Sequence, residues 1–380
     1  MPALLPPRLS DRPPLHDADR ARARRRGGAA RAARRPARLP RRRRAARGAG
    51  RRERGVIDLS IVLLTWNGRD LTLDCLASIE REVLARRDAG RIETETIVVD
   101  NGSRDGTAEA VRARFPWAEL IALPANRGFA GGNNAGLPRA RGRHVCLLNN
   151  DTLVQRDCFE ACVRFLDAHP DVGAIGPQLL HPDGRKQNSI HNFPTLLLEL
   201  VPRGVLETLA PRRYPSKRFA HDGPLDVEAV LGACMVVRRE AVERAGPLPE
   251  DYFFFLEETD WFWAMREHGF RVVHLPAARL VHVHGAATKK VVPLPTRIEY
   301  HRSLYHFFRK RRGPLQAGLV KALRLAKLVL ALLLFAPLAL ASADERERWR
   351  QRAWILAWHA AGCPADWGLA GVRARAEGSA

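Results

Sequence analysis

The segment FFFLEETDWFW (253–263) places Glu257, Glu258 and Asp260 within four residues, bracketed by phenylalanines and tryptophans. Carboxyl groups crowded beside apolar rings repel one another and lose hydration. Both effects lift a pKa from its reference of about 4.3 towards the range where a carboxylate works as a base near neutrality. On a helix, Glu257 and Asp260 share a face at i,i+3, whereas all three acids cannot. A second polar cluster closes the apolar run of CLLNNDTL (146–153), where Asn149, Asn150 and Asp151 follow four residues suited to a buried strand. In LVHVHGAATKK, His282 and His284 alternate, so on a strand both side chains face one way. Such a pair offers an imidazole ligand to a divalent ion, and Lys289 with Lys290 offers a cationic rim to a diphosphate.

The elements that must position these groups follow from hydrophobic pattern. SIVLLTWNG (60–68), TETIVVDNGS (94–103), AELIALP (118–124) and HVCLLNND (144–151) read as strands; Leu71–Leu84, Asp105–Phe115 and 158–169 have helical spacing. NRGFAGGNNAG (126–136) reads as a glycine-rich turn entering a helix, and it matches neither the dinucleotide nor the P-loop fingerprint. Residues 226–246 read as a strand and a short helix stopped by Gly246, and 270–276 and 278–285 as two short strands. Strand and helix alternate, which predicts an α/β fold: a mostly parallel sheet with helices on both faces and ligands at the carboxyl ends of the strands. Three successive strand ends then bring Thr65 and Asn67, Asp100 and Asn101, and Asn149–Asp151 to one rim.

Charge is unevenly distributed. Residues 1–55 carry 19 arginines against four acids, and 286–341 carry 11 lysines and arginines against one, whereas 56–285 is slightly acidic. Residues 1–55 lack hydrophobic periodicity and are expected to be a disordered tail. No aromatic residue interrupts this arginine-rich stretch, so the stacking platforms of nucleic-acid binding are missing and no specific nucleic-acid partner is expected. The six cysteines form no CxxC pair, which suits free thiols in a reducing cytoplasm.

LSIVLLTWNG, IVVDNGSRDGT, NRGFAGGNNAG, LLNNDT, GACMVVRREAVERAGPLPEDYFFFLEETDW and VHVHGAAT, in this order, resemble the inverting family-2 glycosyltransferases of the GT-A (Rossmann-like) fold, in particular their rhamnosyltransferase-like branch. The resemblance spans roughly residues 58–310. It implies that Thr65, Asn67 and Asp100 hold the nucleoside, with Asp100 on the pyrimidine, and that Asn126, Arg127, Gly128, Asn133, Asn149, Asn150 and Lys289 complete the nucleotide-sugar site. Asn149-Asn150-Asp151 takes the place of the family's DXD motif, so the resemblance assigns metal binding (Mg2+ or Mn2+) to Asp151, assisted by His282. It assigns the catalytic base to Glu258, with Glu257 and Asp260 as its neighbours in the EETD segment. The implied activity is transfer from a UDP- or dTDP-sugar to a lipid-linked or polysaccharide acceptor in cell-envelope glycan synthesis. Asn149 and Glu258 depart from the family pattern, and the alternative is an inactive membrane scaffold or glycan-binding module.

These readings divide the chain into the tail (1–55), a catalytic domain (56–290), a basic and aromatic extension with an apolar helix (291–341) and a short C-terminal helix and tail (342–380). Within 319–341, Lys321, Arg324 and Lys327 fall on one helical face, and the uncharged stretch from Leu328 is only 14 residues long. At 1.5 Å per residue it reaches about 21 Å, short of a hydrocarbon core of about 30 Å. The expectation is a helix lying on an anionic membrane surface at the inner face of the cell membrane.

Overall fold

The run LSIVLLT has almost no polar face to offer solvent, and it forms the buried strand β1 (Leu59–Thr65) at the heart of the sheet. In the computed structural model, which describes residues 56–84, 92–216, 219, 221–283, 293–369 and 371, β1 is followed by α1 (Arg69–Ile79), β2 (Thr94–Asp100), α2 (Thr107–Arg114), β3 (Glu119–Ala122) and α3 (Gly128–Gly136). Next come β4 (His144–Asn149), β5 (Thr152–Val154), α4 (Cys158–Ala168), β6 (Val172–Leu180), β7 (Ile190–His191), α5 (Leu196–Leu200) and α6 (Arg203–Leu209). The chain continues through β8 (Leu225–Val227), β9 (Ala229–Val230), β10 (Cys234–Arg238), α7 (Arg239–Ala245), α8 (Glu257–Glu267) and β11 (Arg271–His282). It ends in α9 (Pro293–Arg312), α10 (Pro314–Ala341) and α11 (Ala343–Ala360). Contacts divide the chain into Met1–Arg51 and Arg52–Ala380, and the described residues belong to the second unit. The tail, His284, Lys289 and Lys290 lie outside the described residues.

The main sheet runs β3-β2-β1-β4-β10-β6-β11-β5, with β8 beside β11. Its first four strands are parallel, as the alternating pattern predicts. β10 then enters antiparallel between β4 and β6, so the α/β sheet is mixed. Two features were illegible from pattern. β6 (VGAIGPQLL) is buried along nearly its whole length inside a stretch dominated by Pro and Gly. The two expected strands 270–276 and 278–285 are one strand, β11, whose pairing with β6 slips between Leu275 and Arg279. Pro276 sits at that slip, where its missing N–H removes no ladder bond.

Helices cover both faces. On one, Leu76 and Ile79 of α1 and Phe159, Cys162 and Leu166 of α4 join Ile61 and Leu63; on the other, Trp261, Phe262 and Met265 of α8 join Val62 and Val99. Cys75, Cys146, Cys158, Cys162 and Cys234 are buried free thiols within this packing.

The C-terminal helices pack onto the same unit. The basic run at the end of α9 partly turns inwards: Lys310 pairs with Asp260 at 2.7 Å and with Asp251 at 2.8 Å, Arg311 pairs with Asp260 and with Glu267, and Arg312 stacks over Trp263. α10 is, among the described residues, the one helix long and apolar enough to cross a membrane by length and composition, with a mean hydropathy of 2.1 and 6% of that window buried. The basic stripe expected to face lipid is partly internal, because Arg324 and Lys327 reach Glu199 of α5.

Candidate functional site

The register Thr65↔Asp100 and Leu64↔Asn149 sets the ends of β1, β2 and β4 side by side. The polar residues at these ends tie the loops to one another. Asn67, in the left-handed region (φ 48°), accepts from the Arg104 N–H at 2.8 Å, and its own N–H donates to Ser103 Oγ at 2.9 Å. Asp100 Oδ1 accepts from the Ser103 N–H at 3.0 Å. Asn150 turns inwards and donates to Thr65 Oγ1 at 3.0 Å and Thr72 Oγ1 at 3.1 Å, locking β1 to α1. Thr65 and Asn150 are therefore joined as scaffold, while Trp66 between Thr65 and Asn67 is half exposed at the mouth.

The glycine-rich segment closes a second side. Asn101 donates to Asn126 Oδ1 at 3.1 Å and to the Gly128 carbonyl at 3.0 Å, and accepts from the Arg127 N–H at 2.8 Å. Gly128 has φ +77° and lies so close to the Phe253 carbonyl that a Cβ would stand 2.7 Å from it, so no other residue fits that turn without strain. A Cβ at Gly132 would stand 2.5 Å from Leu64 Cδ1, which lets α3 pack tightly on β1. Asn133 is buried and donates to the Phe129 carbonyl, and Arg127 pairs with Glu250 at 3.1 Å.

Asp151 and His282 meet beyond β4. Both are buried, and Asp151 Oδ1 lies 3.4 Å from His282 Nε2 and has no hydrogen-bond partner among the described residues. Gln187 fixes the ring. Its amide nitrogen donates to the His282 carbonyl at 2.5 Å and to the Leu180 carbonyl at 3.3 Å, so its oxygen must be the atom 3.0 Å from His282 Nδ1. That oxygen only accepts, so Nδ1 carries a proton and Nε2 is the ring nitrogen turned towards the Asp151 carboxylate. A carboxylate oxygen beside the second nitrogen of a neutral imidazole is a donor set that fits a divalent cation, hard oxygen and imidazole nitrogen together. Among the described residues no group of three or more His, Cys, Asp or Glu forms a metal site.

The acids of EETD separate into two environments. Asp260 is completely buried and held by Arg311 and Lys310 of α9, so the structure makes it an anchor rather than a free partner of the base. Glu257 is buried, and desolvation followed by repulsion from Glu258 holds its pKa well above the ordinary carboxylate range; its Oε2 has no hydrogen-bond partner among the described residues. Glu258 is half-buried, and desolvation pushes its pKa up to about 7 although the N–H groups at the start of α8 oppose the shift. Desolvation thus outweighs the helix dipole here. A Cβ at Gly232 would stand 3.8 Å from Glu258 Cδ and 3.4 Å from the Phe129 ring, and the neighbouring Ala233 carbonyl accepts from the Asn149 N–H. Glu258 therefore borders the same rim as Asn149–Asp151.

The rim gathers Thr65, Asn67, Asp100, Asn126, Arg127, Gly128, Asn133, Asn149, Asn150, Asp151, His282, Glu257 and Glu258; Asp260 is set apart with α9. Gln187 is the residue that sequence reasoning did not single out for the site. Gln187 sits in a polar turn (HPDGRKQNS) whose composition gives no sign that one amide crosses to His282.

Residues 60–246 match the family profile described as Glycosyl transferase family 2. The chain is similar to an N-acetylglucosaminyl-diphospho-decaprenol L-rhamnosyltransferase of Mycobacterium tuberculosis, 28% identical over 251 residues that make up 62% of this chain and 81% of that one. It is also similar to the succinoglycan biosynthesis protein ExoO of Rhizobium meliloti, 34% identical over 30% of this chain and 31% of that one. Among solved structures, a mannosyltransferase of Pyrobaculum calidifontis in complex with GDP-Man and Mn2+ aligns over 80% of this chain and 86% of its own, with 22% identity and a TM-score of 0.45.

Proposed function

Because the chain belongs to glycosyltransferase family 2 through residues 60–246, we propose that it moves a sugar, with inversion, from a UDP- or dTDP-sugar to a hydroxyl of a lipid-linked or polysaccharide acceptor in cell-envelope glycan synthesis. The observation that carries this reading is the buried pair of Asp151 Oδ1 and His282 Nε2, 3.4 Å apart, on the same rim as Glu258. The name of the Mycobacterium tuberculosis relative, an N-acetylglucosaminyl-diphospho-decaprenol L-rhamnosyltransferase, supports rhamnose as the sugar moved and a lipid-linked acceptor. The exposed apolar residues of α10 support work at the inner face of the cell membrane.

In this reading Asp100 accepts a hydrogen bond from the pyrimidine, and Arg127 and Lys289 lend positive charge near the diphosphate. Asp151 and His282 would hold Mg2+ or Mn2+, which when bound draws negative charge from the diphosphate and improves it as a leaving group. Glu258 takes the proton of the acceptor hydroxyl. The oxygen freed of that proton attacks the anomeric carbon from the side opposite the diphosphate; the bond from that carbon to the diphosphate oxygen breaks and its electron pair leaves with the nucleotide. One displacement inverts the centre. A carboxyl titrating near 7 is about half ionised at neutral pH and accepts a proton with small loss of free energy. Burial and repulsion from Glu258 hold the Glu257 carboxyl well above the ordinary carboxylate range.

The test is thermal denaturation with UDP, dTDP, GDP and CMP, each with and without Mn2+, on the wild type and on Asp151→Ala. One pyrimidine diphosphate at a hundred times its Kd is expected to stabilise the wild type by about 2.7 kcal/mol. That gain should need both Mn2+ and Asp151. No shift with any nucleotide overturns the reading.

A further inference from the structure

A groove of about 490 Å³ lies among α5, α6, α9, α10 and α11, apart from the Asp151–His282 pair. Its walls carry Arg203, Arg324, Lys327 and Arg352, against the single acid Glu199. Arg324 bonds Glu199 at 2.8 Å and Lys327 donates to the Glu199 carbonyl, so that acid is already engaged. Arg203 gives its Nε to Glu207 at 2.9 Å, but its buried Nη2 has no hydrogen-bond partner among the described residues, and neither has the buried Nη1 of Arg352. A buried guanidinium N–H left without an acceptor is costly, and a planar fork suits phosphate oxygens.

The remaining wall is apolar, with Leu198, Val201, Leu328 and Ala331. From Leu328 onward α10 presents Leu330, Leu333, Leu334 and Leu338 to solvent, each at least half exposed. Cations therefore gather at the foot of an apolar helix face, the arrangement that fits a phosphate head joined to a hydrocarbon tail. The groove also adjoins the acids. Tyr300 on its wall stands edge-on to Phe255, ring centroids 5.7 Å apart, and Phe255 belongs to the turn that leads into Glu257 and Glu258.

We propose that this groove binds the phosphate that joins a lipid-linked acceptor to its hydrocarbon chain, with Arg203 and Arg352 as its principal ligands. The proposal rests on the transferase reading above and adds to it where the acceptor's head group sits. Bound there, the lipid would lie along α10 with its sugar towards the Phe255 side of the groove.

The test is flotation of the full-length protein with three kinds of vesicle: phosphatidylcholine alone, phosphatidylcholine with phosphatidylglycerol, and phosphatidylcholine with a long-chain polyprenyl phosphate at matched charge. The wild type should bind the polyprenyl phosphate vesicles about tenfold more tightly than the phosphatidylglycerol ones. The double variant Arg203→Gln, Arg352→Gln should lose that preference and keep the thermal shift given by the donor nucleotide. Should the double variant lack a cooperative melt, Arg352→Lys, which keeps the charge and removes the fork, is read the same way. Equal binding to the two anionic vesicles, or a preference that survives substitution, overturns the proposal. A nucleotide shift without lipid preference refutes the groove alone, whereas absence of any nucleotide shift refutes the donor reading, so the two failures are distinct.

Discussion

Glu258→Gln replaces the carboxylate by an amide of nearly the same shape and separates chemistry from packing. Burial carries this carboxyl from 4.5 to about 7. At about 1.4 kcal/mol per unit, the shift corresponds to ~3 kcal/mol, trimmed to about 2–3 kcal/mol by partial solvent access. The raised pKa means that the unfolded chain ionises first. Relative to the amide variant, the wild type keeps its full stability below about pH 4.5, loses it as pH climbs to about 7, and shows a constant deficit above that. Urea unfolding of both proteins between about pH 5 and pH 9 reads this directly, and the variant should emerge as the more stable protein at the alkaline end. Sugar transfer should move oppositely: wild-type turnover rises with pH through about 7, while the variant falls by about 10²–10⁴ at every pH because no group is left to take the proton. A pH-independent stability difference would refute the desolvated carboxylate. Transfer by the variant at the wild-type rate would refute Glu258 as the base.

Further outcomes follow from the same contacts. Gln187→Leu removes the acceptor on His282 Nδ1 and should weaken Mn2+-dependent nucleotide binding by about 10–100-fold, whereas Gln187→Glu, which still accepts there, should retain most of it; titration calorimetry distinguishes the two. Arg311→Ala leaves the fully buried Asp260 with Lys310 alone and should lower unfolding free energy by about 3 kcal/mol in denaturant melts, since breaking a buried pair exposes an uncompensated charge. Unchanged stability would mean that Lys310 alone compensates the buried Asp260.

The parallel half of the sheet was readable because burial on both faces writes itself as apolar runs such as LSIVLLT and TETIVVD, each ending in a polar residue. β6 escaped because Gly173, Gly176 and Pro177 imitate a loop; Gly176 is there because a Cβ would stand 2.4 Å from Val230 Cβ, a contact between segments distant in sequence. The antiparallel entry of β10 is likewise invisible locally, since an apolar strand carries no mark of its direction. Within the site, types and order pointed to Asp151, His282 and Glu258, but which way each amide turns depends on partners far along the chain. Asn150 and Thr65 look like ligands from their place at strand ends and instead bond to each other and to Thr72. The choice among three acids in EETD needed α9, whose Arg311 and Lys310 claim Asp260 and leave Glu257 and Glu258 without cations of their own from that helix.

That claim also explains how an uncomfortable backbone persists beside the acids. Phe255 and Leu256 have φ of 72° and 69°, a region that bulky residues rarely adopt and that carries a penalty of about 1–3 kcal/mol each. Such a turn survives only where its surroundings over-determine it, and α9 does so from both sides. Upstream, Ser303 donates to the Phe254 carbonyl at 2.7 Å, and His306 and Lys310 bind Asp251 at 2.7 and 2.8 Å. Downstream, Lys310 and Arg311 bind Asp260. Fixed at residues 251, 254 and 260, the turn has little freedom to relax, and the helix it launches must begin at Glu257. The cations that make the C-terminal extension look like a surface for anionic partners are thus partly spent inside the protein. Their charge holds Asp260 in place so that Glu258, one turn-start away and without such a partner, keeps a pKa set by desolvation.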